Sequence, residues 1–157
     1  MASRYQALVR KAGHQKWFAR AGRAVVPVDR WVHHATGGRF TLLSTKVIPQ
    51  LLLTTTGRRS GRARTVPLLY TEHDGGYVVV ASNWGQRHHP AWSANLLANP
   101  RADLLVGGRT FPVTATLVEG ADRDALWQAV TRTWPAYDTY AARSGRDLRV
   151  FLLSQTA

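Results

Sequence analysis

Residues 51–71 read LLLTTTGRRSGRARTVPLLYT, and the fold follows from how that stretch divides. Leu51-Leu52-Leu53 followed by Thr54-Thr55-Thr56 is an apolar and then β-branched run, the composition of a strand, and it stops at Gly57. Gly57-Arg58-Arg59-Ser60-Gly61 is a turn, with a glycine at each end to supply unusual dihedrals. Thr65 to Thr71 returns as a second strand, interrupted by Pro67. Proline removes a ladder donor, so this strand is expected at a sheet edge or a bulge, and bulges gather beside active sites. The stretch is a β-hairpin that carries Arg58, Arg59, Arg62 and Arg64 around its tip.

Downstream the same grammar repeats. His73-Asp74-Gly75-Gly76 turns the chain into a third strand, Tyr77 to Ser82. Pro90, at a first-turn position, opens a short helix with Trp92, Asn95, Leu96 and Leu97 that closes before Pro100. Ala102 to Val106 and Arg109 to Leu117 form a hairpin over Gly107-Gly108. Asp122 to Thr133 and Ala136 to Arg143 read as helices, and Val150 to Leu153 as a last strand. Upstream, residues 3–25 read as a basic helix whose apolar face runs through Tyr5, Leu8, Val9 and Ala12. It slips by one residue near Gly13 and continues through Trp17, Phe18, Ala21 and Val25. Pro27 is expected to break it, with a short helix through Trp31 beyond. Gly37-Gly38 then opens the domain proper, which divides the chain into a helical segment, 1–36, and a barrel domain, 37–157. Short strands, tight turns and few helices give an α+β class: an antiparallel barrel with helices packed outside.

The charge is uneven. Residues 1–71 hold thirteen Lys/Arg against one acid, Asp29, while residues 72–157 hold eight of each sign, so the front half carries the whole net charge of +12. Such a field attracts polyanions: nucleic acid, acidic lipid, or a phosphorylated or carboxylated small molecule. The chain has no cysteine, which excludes disulfides, thiolate nucleophiles and cysteine-based zinc sites. The His33-His34 and His88-His89 pairs lack an acidic context, so no metal is expected. No signal-peptide pattern and no apolar run of spanning length are present, and a cytoplasmic location is expected.

Three groups of residues can carry chemistry. Arg58-Arg59-Ser60-Gly61-Arg62-Ala63-Arg64 puts four guanidinium groups around a glycine-flanked turn. Guanidinium forks match phosphate and carboxylate oxygens, and turn amides add an anion-binding concavity. The competing reading is a solvated charged hairpin. Ala81-Ser82-Asn83-Trp84-Gly85 ends a strand in a polar loop, and with Pro90 to Asn95 it presents donors to a planar heteroaromatic ligand. The competing reading is a surface loop with a core tryptophan. Tyr137 and Tyr140 share a helix face at i, i+3 spacing, where they wall a pocket or simply pack.

Together these segments resemble the deazaflavin-dependent nitroreductase and quinone reductase family. The resemblance begins at Gly37-Gly38-Arg39 and runs through LLLTTTGRRSGRAR (Leu51 to Arg64). It continues through Pro67-Leu68, Ala81-Ser82, Pro90 to Leu96, Ala98-Asn99-Pro100, Trp134 to Tyr140 and the last strand, about three quarters of the chain. It implies a split β-barrel that binds coenzyme F420, a deazaflavin with a phosphate and a polyglutamate tail. On that basis Arg58, Arg59 and Arg64 are expected at the phosphate and tail, with Ser60 assisting. Val66 and Pro67 would border the ring, Ala81, Ser82 and Asn83 would offer donors along it, and Ala91, Trp92 and Asn95 would close its other side. Tyr137 and Tyr140, with Ser82, would serve a small electron-poor acceptor (a quinone, activated alkene or nitroaromatic) that takes a hydride. Some residues depart from the pattern. Asn83-Trp84 stands where many members have lysine or glycine followed by glycine, Trp134 where tyrosine is common, and Leu69 where some place a hydroxyl. Arg149 replaces a usual proline; the others lie on the expected acceptor side.

Rival readings remain. An FMN-dependent oxidoreductase can use the same barrel, since fold does not fix the cofactor. A nucleic-acid-binding module would use the charge, but the sequence holds no recognition helix, zinc knuckle or stacking motif, and no nucleic-acid partner is expected. The Lys/Arg-rich N-terminal helix with Trp17 and Phe18 suits peripheral contact with acidic lipid at the inner face of the cell membrane, or else packs over the barrel. Barrels of this type often pair, so a homodimer is expected.

Overall fold

The computed structural model of the chain describes residues 4–35 and 49–156. The hairpin forms as its sequence dictates: β1 (Gln50–Thr56) and β2 (Ala63–Leu69) pair antiparallel, with Leu52 opposite Pro67. Thr54 and Thr65 face each other, and their hydroxyls bond at 2.8 Å. β2 lies at one edge of the sheet, where Pro67 withholds no hydrogen bond from a neighbour.

The remaining strands are β3 (Thr71–His73), β4 (Gly76–Val80), β5 (Arg101–Val106), β6 (Arg109–Val118) and β7 (Val150–Gln155). All pairings are antiparallel, in the order β2-β1-β5-β6-β7-β4-β3. β2 and β3 therefore occupy opposite edges, yet Tyr70 alone separates them along the chain. One residue cannot span a flat seven-stranded sheet whose strands lie about 4.8 Å apart. The sheet must curl until its edges meet, and this makes the split barrel. Tyr70 marks the crossing, with its N–H on Pro49 O at 3.2 Å and its ring edge-on to Tyr77 at 5.3 Å.

Strand alternation sorts side chains into two cores. Val79 of β4, Ala81, and Phe151 and Leu153 of β7 point into the barrel with Leu51, Leu53, Leu104 and Val113. Val78, Val80 and Val150 point outward, onto helices α4 (Gly120–Thr133) and α5 (Ala136–Ser144). The Val78-Val79-Val80 run reads as unbroken apolar sequence because both its faces are covered. Helix α3 (Ala91–Ala98) starts at Pro90 and puts Trp92 and Leu96 into the barrel.

Three expectations are corrected. The strand expected at Thr65 to Thr71 ends at Leu69, and Thr71–His73 is a separate strand, because the chain changes edges at Tyr70. Similarly, the strand expected through Ser82 ends at Val80. The N-terminal helix breaks at Gly13, not at Pro27: α1 (Arg4–Ala12) is followed by α2 (Lys16–Ala35), which passes through Pro27. Tertiary contacts explain the break. A β-carbon on Gly13 would stand 2.4 Å from Trp134 Cζ2, and Tyr140 Oη donates to Gly13 O at 2.9 Å. Pro27 sits on an exposed face with Ala24 and Val28, where water can satisfy the carbonyl it leaves unbonded. The boundary expected at Gly37-Gly38, with Arg39, falls outside the described residues.

Candidate functional site

A cavity of about 1020 Å³ opens between the barrel and the N-terminal helices. α2 supplies Trp17, Phe18, Ala21, Gly22 and Val25 to one wall. β2 supplies Val66, Pro67, Leu68 and Leu69, and the start of α3 supplies Pro90, Ala91, Trp92 and Ala94. Trp134, Tyr137 and Tyr140 complete the lining with Ser82, Asn83 and Trp84, and Arg58, His88, His89 and Arg149 bring its polar groups. A site that is mostly apolar with a few convergent polar groups suits a planar organic ligand, and this volume lies at the upper end of the ligand-site range.

The hairpin tip is held by its own backbone and by one distant side chain. Gly57 N–H bonds Arg62 O and Gly61 N–H bonds Gly57 O, each at 2.8 Å, and Gly61 takes φ +67°, which glycine adopts without strain. Ser60 Oγ accepts from Arg62 N–H at 3.2 Å. Asn95, buried on α3, accepts Arg58 N–H at 3.1 Å and donates to Thr55 Oγ1 at 3.0 Å. Its carboxamide is thus spent on fixing the hairpin. Arg58 reaches the cavity, while Arg59, Ser60, Arg62 and Arg64 stand exposed outside its lining. Among the described residues the one ion pair is His73 with Asp74, so none of the four guanidinium groups meets a carboxylate.

The loop after β4 is organised from the far end of the chain. Arg146 donates through Nε to Gln86 O (3.0 Å), through Nη1 to Ala81 O (3.1 Å) and His89 Nδ1 (2.9 Å), and through Nη2 to Ser82 O (3.0 Å). A guanidinium only donates, so Nδ1 of His89 is the acceptor and its Nε2 carries the proton. Burial, then Arg149 and Arg146, push the His89 pKa down, which keeps the ring neutral at pH 7. Arg146 is itself lowered, by burial and then by Arg149. Ala81 is fully buried and gives its N–H to Arg149 O at 2.8 Å. Asn83 Nδ2 donates to His88 O at 3.0 Å and so closes the loop. The Ala81 N–H and one hydrogen of the Asn83 carboxamide are thus spent, whereas the Ser82 hydroxyl has no partner among the described residues.

The two tyrosines differ. Tyr140 has its hydroxyl on Gly13 O, and the neighbouring Arg143 Nη2 donates to His14 O at 2.8 Å, so α5 pins the α1–α2 turn. Tyr137 is buried against the cavity with no hydroxyl partner among the described residues. Burial, followed by the nearby Tyr140, drives its pKa well up; burial also raises Tyr140, against the pull of a Trp134 hydrogen bond and Arg143. Both remain protonated at neutral pH.

Of the residues expected at a site, Arg58, Val66, Pro67, Ser82, Asn83, Ala91, Trp92, Tyr137 and Tyr140 converge on one cavity. Arg59, Ser60, Arg64, Ala81 and Asn95 lie outside its lining. Sequence reasoning missed Arg146, His89 and the contribution of α2 to the cavity, whereas Trp84, a departure expected on the acceptor side, does line it. Arg149 stood out only as a departure from a proline. Arg146 left no local signal, because its partners Gln86 and Ala81 lie 60 and 65 residues away in sequence.

Comparison with known proteins gives consistent matches. The family model described as F420H(2)-dependent quinone reductase matches residues 23–155. An F420H(2)-dependent quinone reductase of Mycobacterium tuberculosis (strain ATCC 25618 / H37Rv) is 33% identical over 144 residues, covering 89% of this chain and 97% of that protein. The solved structure of an F420-H2 dependent reductase superposes with a TM-score of 0.63 at 37% identity, over 68% of this chain and 94% of that one. Another, described as a domain-swapped dimer, gives 0.64 at 35% identity over 82% and 99%.

Proposed function

This chain belongs to the F420H(2)-dependent quinone reductase family, and from that premise we propose how its own residues divide the work. It is an oxidoreductase that uses reduced coenzyme F420 to reduce a quinone. The observation that carries the residue assignment is an apolar cavity of about 1020 Å³ met at Arg58 by an acid-free arginine hairpin.

The residues fit such a cofactor: guanidinium groups without carboxylate partners suit a phosphate and an acidic tail, and the apolar wall suits a flat ring. Arg58, Arg59 and Arg64 hold the phosphate and tail, and Asn95 and Ser60 hold the hairpin that presents them. Val66, Pro67, Ala91 and Trp92 border the ring, with the Ser82 hydroxyl at its edge. Ala81 and Asn83 contribute through the loop that Arg146 braces. Bound there, the reduced deazaflavin supplies a hydride, which together with one proton converts the quinone to a hydroquinone. Tyr137 donates a hydrogen bond from its hydroxyl to the quinone carbonyl oxygen. Its raised pKa makes it a poor acid, so it polarises the carbonyl and the proton comes from solvent. Tyr140 acts as a positioning residue through Gly13.

Calorimetric titration with coenzyme F420 and, separately, with FMN tests this reading. The deazaflavin alone should bind, and Arg58→Ala, Arg59→Ala and Arg64→Ala should each weaken it by about tenfold. Binding of FMN alone, or arginine variants that bind the deazaflavin unchanged, would overturn it.

A membrane-surface reading rests on a separate observation. Leu8, Trp17, Val28 and Trp31 are 51–70% exposed on α1 and α2, beside exposed Lys11, Lys16 and Arg20. We propose that this face rests on acidic lipid and admits an apolar quinone past Trp17. No helix among the described residues is long and apolar enough to cross a membrane. Homodimer formation is supported by the domain-swapped neighbour, and a monomer in analytical ultracentrifugation would remove it.

A further inference from the structure

Trp84 holds a backbone conformation that L side chains avoid. Its φ of 57° and ψ of 26° lie between Asn83 at φ 45° and Gly85 at φ 78°, three left-handed residues in a row. Glycine would adopt this without strain; tryptophan does so at a cost, and such strain persists where the surroundings over-determine it and a function uses it.

The surroundings of Trp84 are specific. A β-carbon on Gly22 of α2 would stand 2.4 Å from Trp84 Cη2 and 2.8 Å from Cζ2 and Cζ3, so the indole lies against bare helix backbone. The Tyr140 ring stands edge-on to it at 6.5 Å, and Tyr140 in turn meets Tyr137 edge-on at 6.4 Å. Gly22, Trp84, Tyr140 and Tyr137 all line the cavity. The indole therefore fills the gap between α2 and α5 on the wall that Tyr137 also lines.

We propose that Trp84, seated on Gly22 and braced by Tyr140, is the specificity-determining residue of the acceptor subsite, and that it limits the width of the quinone ring system presented to Tyr137. This rests on the reading of Tyr137 given above. Any residue shorter than tryptophan at position 84 would leave the volume beside Tyr137 open to a wider acceptor. A side chain at Gly22 would drive the indole into the cavity and narrow it. The pair is a steric gauge, with helix backbone on one side and acceptor on the other.

The test compares wild type, Trp84→Gly and Gly22→Ala with one-, two- and three-ring quinones: a benzoquinone, a naphthoquinone and an anthraquinone. Steady-state rates are measured with saturating reduced coenzyme F420, and the same quinones are measured by equilibrium dialysis against the cofactor-free chain. Trp84→Gly should raise the three-ring to one-ring ratio of kcat/KM by at least about tenfold, chiefly through KM. Gly22→Ala should move the ratio the other way, and coenzyme F420 affinity should stay within about twofold in both, since neither substitution touches the arginine hairpin. An unmoved ratio with all quinones weakened alike would make Trp84 a packing residue and overturn the proposal. Should wild type bind no coenzyme F420, the function reading fails while the dialysis ratios still decide this one. If Trp84→Gly does not fold, Trp84→Phe and Gly22→Ala carry the same comparison, with a smaller widening expected for the former.

Discussion

The difference between Tyr137 and Tyr140 is set by one hydrogen bond. The sequence put both on one helix face, and both reach the cavity. It could not show which hydroxyl was spent, because the acceptor, Gly13 O, lies 127 residues away. Two phenylalanine variants should separate the roles. Tyr140→Phe should lower thermal stability by about 1 kcal/mol, through the Gly13 carbonyl left unpaired, with little change in kcat. Tyr137→Phe should leave stability unchanged or slightly higher, because a buried hydroxyl is removed, and should lower kcat by roughly tenfold. Equal effects in paired melting and kinetic measurements would refute the division. Arg146 teaches the same lesson. A single arginine in an irregular loop gave no reason to expect four bonds to the loop after β4.

At the scale of elements, patterns confined to one segment were readable and patterns made by contact were not. The hairpin 51–69 was legible because strand composition, flanking glycines and Pro67 agree locally. The helix break was not, because local propensity favours Pro27 as the breaking point and Gly13 breaks for tertiary reasons. Gly13→Ala should therefore cost more than an ordinary glycine-to-alanine change in a turn. Trp134 is 2% exposed and has no room to swing away from the added methyl, so a loss of about 1–3 kcal/mol is expected. Thermal unfolding followed by circular dichroism checks this; an unchanged or raised Tm would mean that α1 detaches from α5 without loss. β3 was missed for a similar reason. No residue near Thr71 announces that the chain has crossed to the opposite sheet edge, and that follows only from the full strand order.

Across the whole molecule, the charge imbalance was legible from composition alone, while its distribution over two surfaces was not. Part of it sits on the hairpin, and part on α1 and α2 beside exposed Leu8, Trp17 and Trp31. The lipid-facing reading predicts that the chain floats with vesicles containing phosphatidylglycerol at low salt and not with neutral vesicles. Each surface cation contributes about 1 kcal/mol, so Lys11→Gln, Lys16→Gln and Arg20→Gln together should weaken flotation on the order of a hundredfold. Truncating the N-terminus would confuse the result, because Trp17 and Gly22 wall the cavity. Flotation that ignores both lipid charge and the triple substitution would discard the membrane reading.

The walls of that cavity have one more consequence. Trp17, Trp84, Trp92 and Trp134, four of the six tryptophans, line it. Most of the protein's near-ultraviolet emission therefore originates within a few ångströms of whatever enters. A quinone or deazaflavin in the cavity would accept excitation energy or electrons from these indoles and darken the protein. The molecule carries its own optical gauge of occupancy, and no label is needed to read it.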